Sequence, residues 1–125
     1  MATILLVEDD DGVRGVLKKT LVNAGHEVED ASNGYLAIAA YRRQAPDLVI
    51  TDLVMPEKDG LETIMELRRL NPSIRIIAVS GGGRTIGLGQ LYLDSARALG
   101  AARILAKPFT SAALLKAVED VLAGE

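Results

Sequence analysis

Cysteine is absent from the 125-residue chain, which excludes disulfides, thiolate metal sites and cysteine nucleophiles. Aromatic residues make up only 3%, beside 49% hydrophobic and 25% charged residues. That balance belongs to a soluble globular domain and not to a disordered chain. No basic block stands out and the net charge is −3, so nucleic acid is not an expected partner. No apolar run approaches the ~18 to 20 residues that span a bilayer, so no membrane is expected either. The apolar start Ile4-Leu5-Leu6-Val7 turns acidic at Glu8, too soon for a secretory h-region. A cytoplasmic location is the resulting expectation. The length is that of one domain, residues 1–125, with enough chain to bury a core without staples.

What is present is an alternation of short apolar runs with amphipathic stretches. Ile4 to Val7 and Leu48 to Ile50 read as buried strands, Ile74 to Val79 as a strongly apolar strand and Ile104 to Ala106 as the last strand. His26 to Ala31 reads as a charged edge strand. Between them, apolar residues recur at helical spacing. Val13 to Ala24 stops at Gly25, and Leu36 to Tyr41 is capped near Ser32 or Asn33. Leu61 to Arg68 follows Asp59-Gly60, and Leu114 to Leu122 is capped near Thr110 or Ser111. A further helical stripe runs through Leu88, Leu91, Tyr92, Ser95 and Leu99. Five strands alternating with five helices predict an α/β domain, a doubly wound parallel sheet covered on both faces. Ligands of such sheets sit beyond the carboxyl ends of the strands, where strand order reverses.

Those ends carry the chemistry-bearing residues. The first strand runs into Glu8-Asp9-Asp10-Asp11. One acid suffices to cap a helix; four in a row repel one another, and a hard divalent cation relieves that repulsion. The strand ending near Asp52 brings a second arm to such a site, and Asp52 is also a candidate carboxylate nucleophile of the aspartyl-phosphate kind. Ser80 follows the next long strand, where its hydroxyl can donate to a phosphoryl oxygen. Lys107-Pro108 follows the last strand, where the ammonium can pair with an anion and the proline admits a cis bond.

In order and spacing, this constellation resembles the receiver domain of bacterial two-component response regulators, the CheY-like superfamily, over essentially the whole chain. The most specific pieces are Leu5 to Asp10, Asp52-Leu53-Val54-Met55-Pro56 with Asp59-Gly60, and Lys107-Pro108-Phe109. The resemblance implies a flavodoxin-like sheet of order 2-1-3-4-5 and a phosphoacceptor role for Asp52. It implies a Mg²⁺ site made by Asp9 directly, Glu8 through water, Asp52 and the carbonyl of Val54, with Mn²⁺ able to substitute. Ser80 and Lys107 match the residues that contact the phosphoryl group. The implied donor is a phosphohistidine on a sensor histidine kinase or histidine phosphotransfer protein, and the output is a conformational change read by a downstream protein. Catalysis is then limited to the domain's own phosphoryl transfer and slow autodephosphorylation.

Three features depart from the family pattern. Glu8 stands where Asp is commoner. Ile104 stands where an aromatic switch residue is frequent. The segment between Ser80 and Lys107 is longer than usual and holds Gly81, Gly82, Gly83, Gly87 and Gly89, so it is the expected place of the output signal. Val54 and Gly82, the positions that tune phosphoryl lifetime in the family, carry no side chain able to hydrogen-bond a water. Asp9-Asp10-Asp11-Gly12-Val13 is also similar to the motif of haloacid-dehalogenase-type phosphatases, but no acidic metal motif follows Lys107 outside the final helix. Gly87-Leu88-Gly89 lacks the third glycine of a dinucleotide fingerprint. No output domain is visible, which leaves a single-domain regulator or an excised receiver.

Overall fold

A computed structural model describes residues 2–53, 60–80 and 94–124. In chain order the elements are β1 (Thr3–Val7), α1 (Asp11–Asn23), β2 (Glu27–Ala31), α2 (Gly34–Arg43), β3 (Leu48–Asp52) and α3 (Gly60–Leu70). Then come β4 (Ile76–Ser80), α4 (residues 94–98), β5 (Arg103–Ala106) and α5 (Ser111–Leu122). All strand pairs are parallel, and the sheet order is β2-β1-β3-β4-β5. This is the order that the family resemblance implied.

Side chains alternate across a strand, so each buried run feeds two cores. Ile4, Leu6, Leu48, Ile50, Ile77 and Val79 pack with Leu21 of α1 and with Leu114, Val118 and Val121 of α5. Leu5, Val7, Val49, Ile76 and Ala78 face the other way, against α2, α3 and Ala96 of α4. Continuous apolar strands are what a sheet covered on both faces requires. The two edge strands are the exceptions: β2 buries only Ala31, and β5 has no fully buried residue.

The helix ends carry local signals. Asp10 caps α1 by accepting from the Val13 amide, Asn33 caps α2 through the Leu36 amide, and Thr110 caps α5 through the Ala113 amide. Gly25 adopts φ +98° just past α1, the left-handed conformation that lets the chain leave a helix. The Lys107–Pro108 bond is cis.

Several strand bounds differ from the sequence reading, those of β4 among them. β4 starts at Ile76 instead of Ile74 and includes Ser80. Ile74 is buried in the core, but its carbonyl accepts from the Arg68 guanidinium at 3.0 Å and its amide closes a turn onto the Asn71 carbonyl. Its apolar side chain mimicked a strand position, while its backbone belongs to a turn. Of the helical stripe expected around residues 88–99, Leu88, Leu91 and Tyr92 lie outside the described residues, as do the glycines from Gly81 to Gly89.

Candidate functional site

Strand order reverses at β1, which lies between β2 and β3. The helices that follow β1 and β3 pack on opposite faces of the sheet, so a crevice is expected at the carboxyl ends of these strands. Glu8 follows β1, Asp52 is the last residue of β3, Ser80 the last of β4, and Lys107 follows β5. Four adjacent parallel strands therefore deliver these residues to one rim. The alternation that sends Leu6 and Ile50 toward the α1/α5 face sends Glu8 and Asp52 the same way.

Among the described residues, Glu8, Asp52 and Ser80 are three of the few buried polar side chains, at 2%, 5% and 5% exposure. Buried carboxylates need a counter-charge. Lys107 supplies it: its Nζ donates to Glu8 Oε1 at 2.8 Å and to Asp52 Oδ2 at 3.0 Å. Its backbone is fixed too, because the Lys107 amide donates to the Ser80 carbonyl at 2.8 Å. Burial works against the Lys107 charge, yet the bonds to Glu8 and Asp52 prevail and hold its pKa above the ordinary lysine value. The Glu8 arm uses its extra length. One oxygen reaches Lys107, while the other accepts from the Asp10 amide at 3.1 Å.

Carboxylate oxygens of Glu8, Asp9 and Asp52 lie within 4.8 Å of one another. Burial raises the Asp9 pKa, and the neighbouring Glu8 carboxylate raises it further; Lys107 and a backbone amide oppose this only in part. Three hard oxygen donors in a cluster with surplus negative charge suit a divalent cation such as Mg²⁺. Val54, expected to add a backbone carbonyl, lies outside the described residues, as does Gly82.

The four consecutive acids divide by role. Glu8 and Asp9 join the cluster. Asp10 is the α1 cap. Asp11 pairs with Arg14 at 2.6 Å. Arg14 was not singled out in the sequence, although its spacing of three from Asp11 was a visible signal. Its second partner, Asp30 at 3.0 Å, sits on β2 and could not be anticipated without the sheet. Gly60 is also explained. A Cβ there would lie 2.1 Å from the Asp52 carbonyl oxygen and 2.5 Å from the Leu53 Cα, so only glycine lets α3 begin against the end of β3.

The response regulator receiver domain model matches residues 4–119. The chemotaxis protein CheY of Bacillus subtilis is 35% identical over 120 residues, covering 95% of this chain and 96% of that protein. Among solved structures, CheY4 of Vibrio cholerae superposes with a TM-score of 0.85 at 30% identity, covering 97% of this chain and 98% of that one. NtrX of Brucella abortus gives a TM-score of 0.90 at 30% identity over 98% of this chain, which corresponds to 27% of that longer protein. The fold, the acidic rim and these likenesses agree: the chain belongs to the receiver domain family of response regulators, the phosphoacceptors of two-component signalling.

Proposed function

We propose that Asp52 is the phosphoacceptor and that Glu8, Asp9, Asp52 and the Val54 carbonyl hold the Mg²⁺ that its chemistry requires, with Mn²⁺ an effective substitute. The observation that carries this reading is Lys107 Nζ bridging Glu8 and Asp52 within a cluster of three carboxylates. When bound, the cation neutralises the cluster and polarises the incoming phosphoryl group.

Asp52 attacks phosphorus through a carboxylate oxygen. A P–O bond forms, the P–N bond to a donor phosphohistidine breaks, and its electron pair stays on the imidazole nitrogen. Lys107 then exchanges its contact with Asp52 for one with a phosphoryl oxygen, so its charge meets the charge that has arrived. Ser80, one strand over, donates its hydroxyl to another phosphoryl oxygen. The Glu8–Lys107 bond persists through the exchange and keeps the ammonium aimed at the rim.

The donor is a sensor histidine kinase or histidine phosphotransfer protein, and a downstream protein reads the phosphorylated surface. The receiver domain works in the cytoplasm. It catalyses only its own phosphoryl transfer and a slow autodephosphorylation.

Intact-mass measurement after incubation with acetyl phosphate tests the assignment. A single phosphoryl adduct that requires Mg²⁺ or Mn²⁺ is expected in wild type, decaying on standing, and none in Asp52→Asn. An equal adduct in Asp52→Asn would place the acceptor elsewhere.

A further inference from the structure

One guanidinium fastens the loop that carries the acidic pair. Arg14 Nη1 donates to the Glu8 carbonyl at 3.0 Å, Nη2 to Asp11 Oδ1 at 2.6 Å, and Nε to Asp30 Oδ2 at 3.0 Å. The other Asp30 oxygen accepts from Lys18 Nζ at 3.0 Å. Arg14 and Lys18 lie on α1 and Asp30 on β2, so the fork ties the β1–α1 loop to the neighbouring strand.

The contact with the Glu8 carbonyl matters most. That oxygen belongs to the planar peptide unit joining Glu8 to Asp9. Pinning it fixes the plane from which the Asp9 side chain departs, and with it the direction in which that carboxylate faces Glu8 and Asp52. The loop needs such a restraint, because four adjacent acids push apart.

We propose that Arg14, anchored by Asp30, is a positioning residue for the divalent cation: it sets the orientation of Asp9 and thereby the affinity of the Glu8–Asp9–Asp52 cluster. This rests on the reading of that cluster as the cation site. The sign of the effect separates positioning from charge. By Coulomb's law alone, a cation near the cluster is repelled by Arg14, so neutralising Arg14 would tighten binding. Positioning demands the opposite. It also demands that lysine fail, since an ammonium keeps the charge but cannot make three bonds in one plane.

The test is a Mg²⁺ titration of ¹⁵N-labelled protein, following backbone amides by NMR, on wild type, Asp9→Asn, Arg14→Lys, Arg14→Gln and Asp30→Glu. Arg14→Lys and Asp30→Glu preserve charge and spoil geometry. Each is expected to weaken Mg²⁺ about tenfold, in the range seen for groups that orient metal ligands, while the amide spectrum outside residues 8–14 and 30 stays native. Arg14→Gln is expected to weaken binding as well. Affinities within twofold of wild type in both charge-preserving variants, or tighter binding in Arg14→Gln, would overturn the proposal and leave the cation site intact. Wild-type protein that binds no Mg²⁺ would remove the site and this inference together; Asp9→Asn that binds it equally well would take Asp9 out of the site, and this inference with it. Should Arg14→Lys fail to fold, Asp30→Glu decides alone, because it leaves every loop residue and Arg14 itself in place.

Discussion

Lys107 holds two buried carboxylates with one ammonium, and its neighbours explain why neither acid can spare it. Removing one partner of a buried pair costs about 3–5 kcal/mol when an uncompensated charge remains. Lys107 is itself a quarter exposed, so water reduces that penalty. Lys107→Met is therefore expected to lose about 2–3 kcal/mol in the presence of a chelator. Saturating Mg²⁺ should restore part of the loss, since the cation neutralises the same carboxylates. Urea unfolding with and without Mg²⁺ checks both halves. An equal loss under both conditions would show that the cation does not share the cluster with Lys107. The residues of this site were legible because each lies where a strand runs out: Glu8 after Val7, Asp52 after Thr51, Ser80 after Val79, Lys107 after Ala106. Their contacts were not. Lys107 is 99 residues from Glu8 and 55 from Asp52, and only the sheet order makes them neighbours.

At the level of elements, close backbone approach does what side-chain chemistry cannot. The Gly60 amide donates to the Leu53 carbonyl at 2.9 Å, and the helix start rests on the Asp52 backbone with no room for a methyl group. Both obstructing groups are backbone, so they cannot step aside as a flexible side chain would. Gly60→Ala is expected to cost about 1–3 kcal/mol and to displace Asp52 from Lys107. It should thus lower the rate of phosphorylation by acetyl phosphate beyond what the stability loss explains. A variant that unfolds more easily but is phosphorylated at the wild-type rate while folded would confine Gly60 to packing. The Asp59-Gly60 pair was readable as a turn before a helix, but the reason for the glycine was not, because the atoms it must avoid come from β3. The start of β4 fails for a related cause. Ile74 and Ile76 both belong to the core, and nothing in their apolar character says that Arg68 takes the Ile74 carbonyl. Edge strand β2, by contrast, was readable from its own charges, as its exposed Glu27 and Glu29 attest.

At the scale of the whole molecule, the shifted pKa values of Asp30, Lys107 and Asp9 divide the pH axis. Burial alone would raise Asp30, but its bonds to Lys18 and Arg14 outweigh that and lower its pKa. Its contribution is present above the ordinary carboxylate range and is lost as pH falls through its folded value. Lys107 is raised, so its contribution is complete below the ordinary lysine pKa and is lost as pH rises through the folded one. Asp9 is raised by burial and by Glu8, which reverses the usual carboxylate case. Its ionised form burdens the metal-free fold at neutral pH, and protonation relieves that burden as pH falls through its folded value. A cation competes with that proton for the same oxygens. Binding to the folded state alone adds RT ln(1 + [L]/Kd), about 1.4 kcal/mol at ten times Kd. The gap between melting temperatures with and without Mg²⁺ is therefore widest near neutral pH. It narrows as pH falls into the Asp9 range, because the proton stabilises the metal-free form while weakening the bound one. Asp9→Asn removes the repulsion at every pH. It should melt higher than wild type without metal at neutral pH and show a small Mg²⁺ gap that varies less with pH. Thermal melts of both proteins between about pH 4.5 and 8, with Mg²⁺ or chelator, read all of this at once. A gap of equal size and equal pH dependence in the two proteins would take Asp9 out of the cation site and leave Glu8 and Asp52 to hold it.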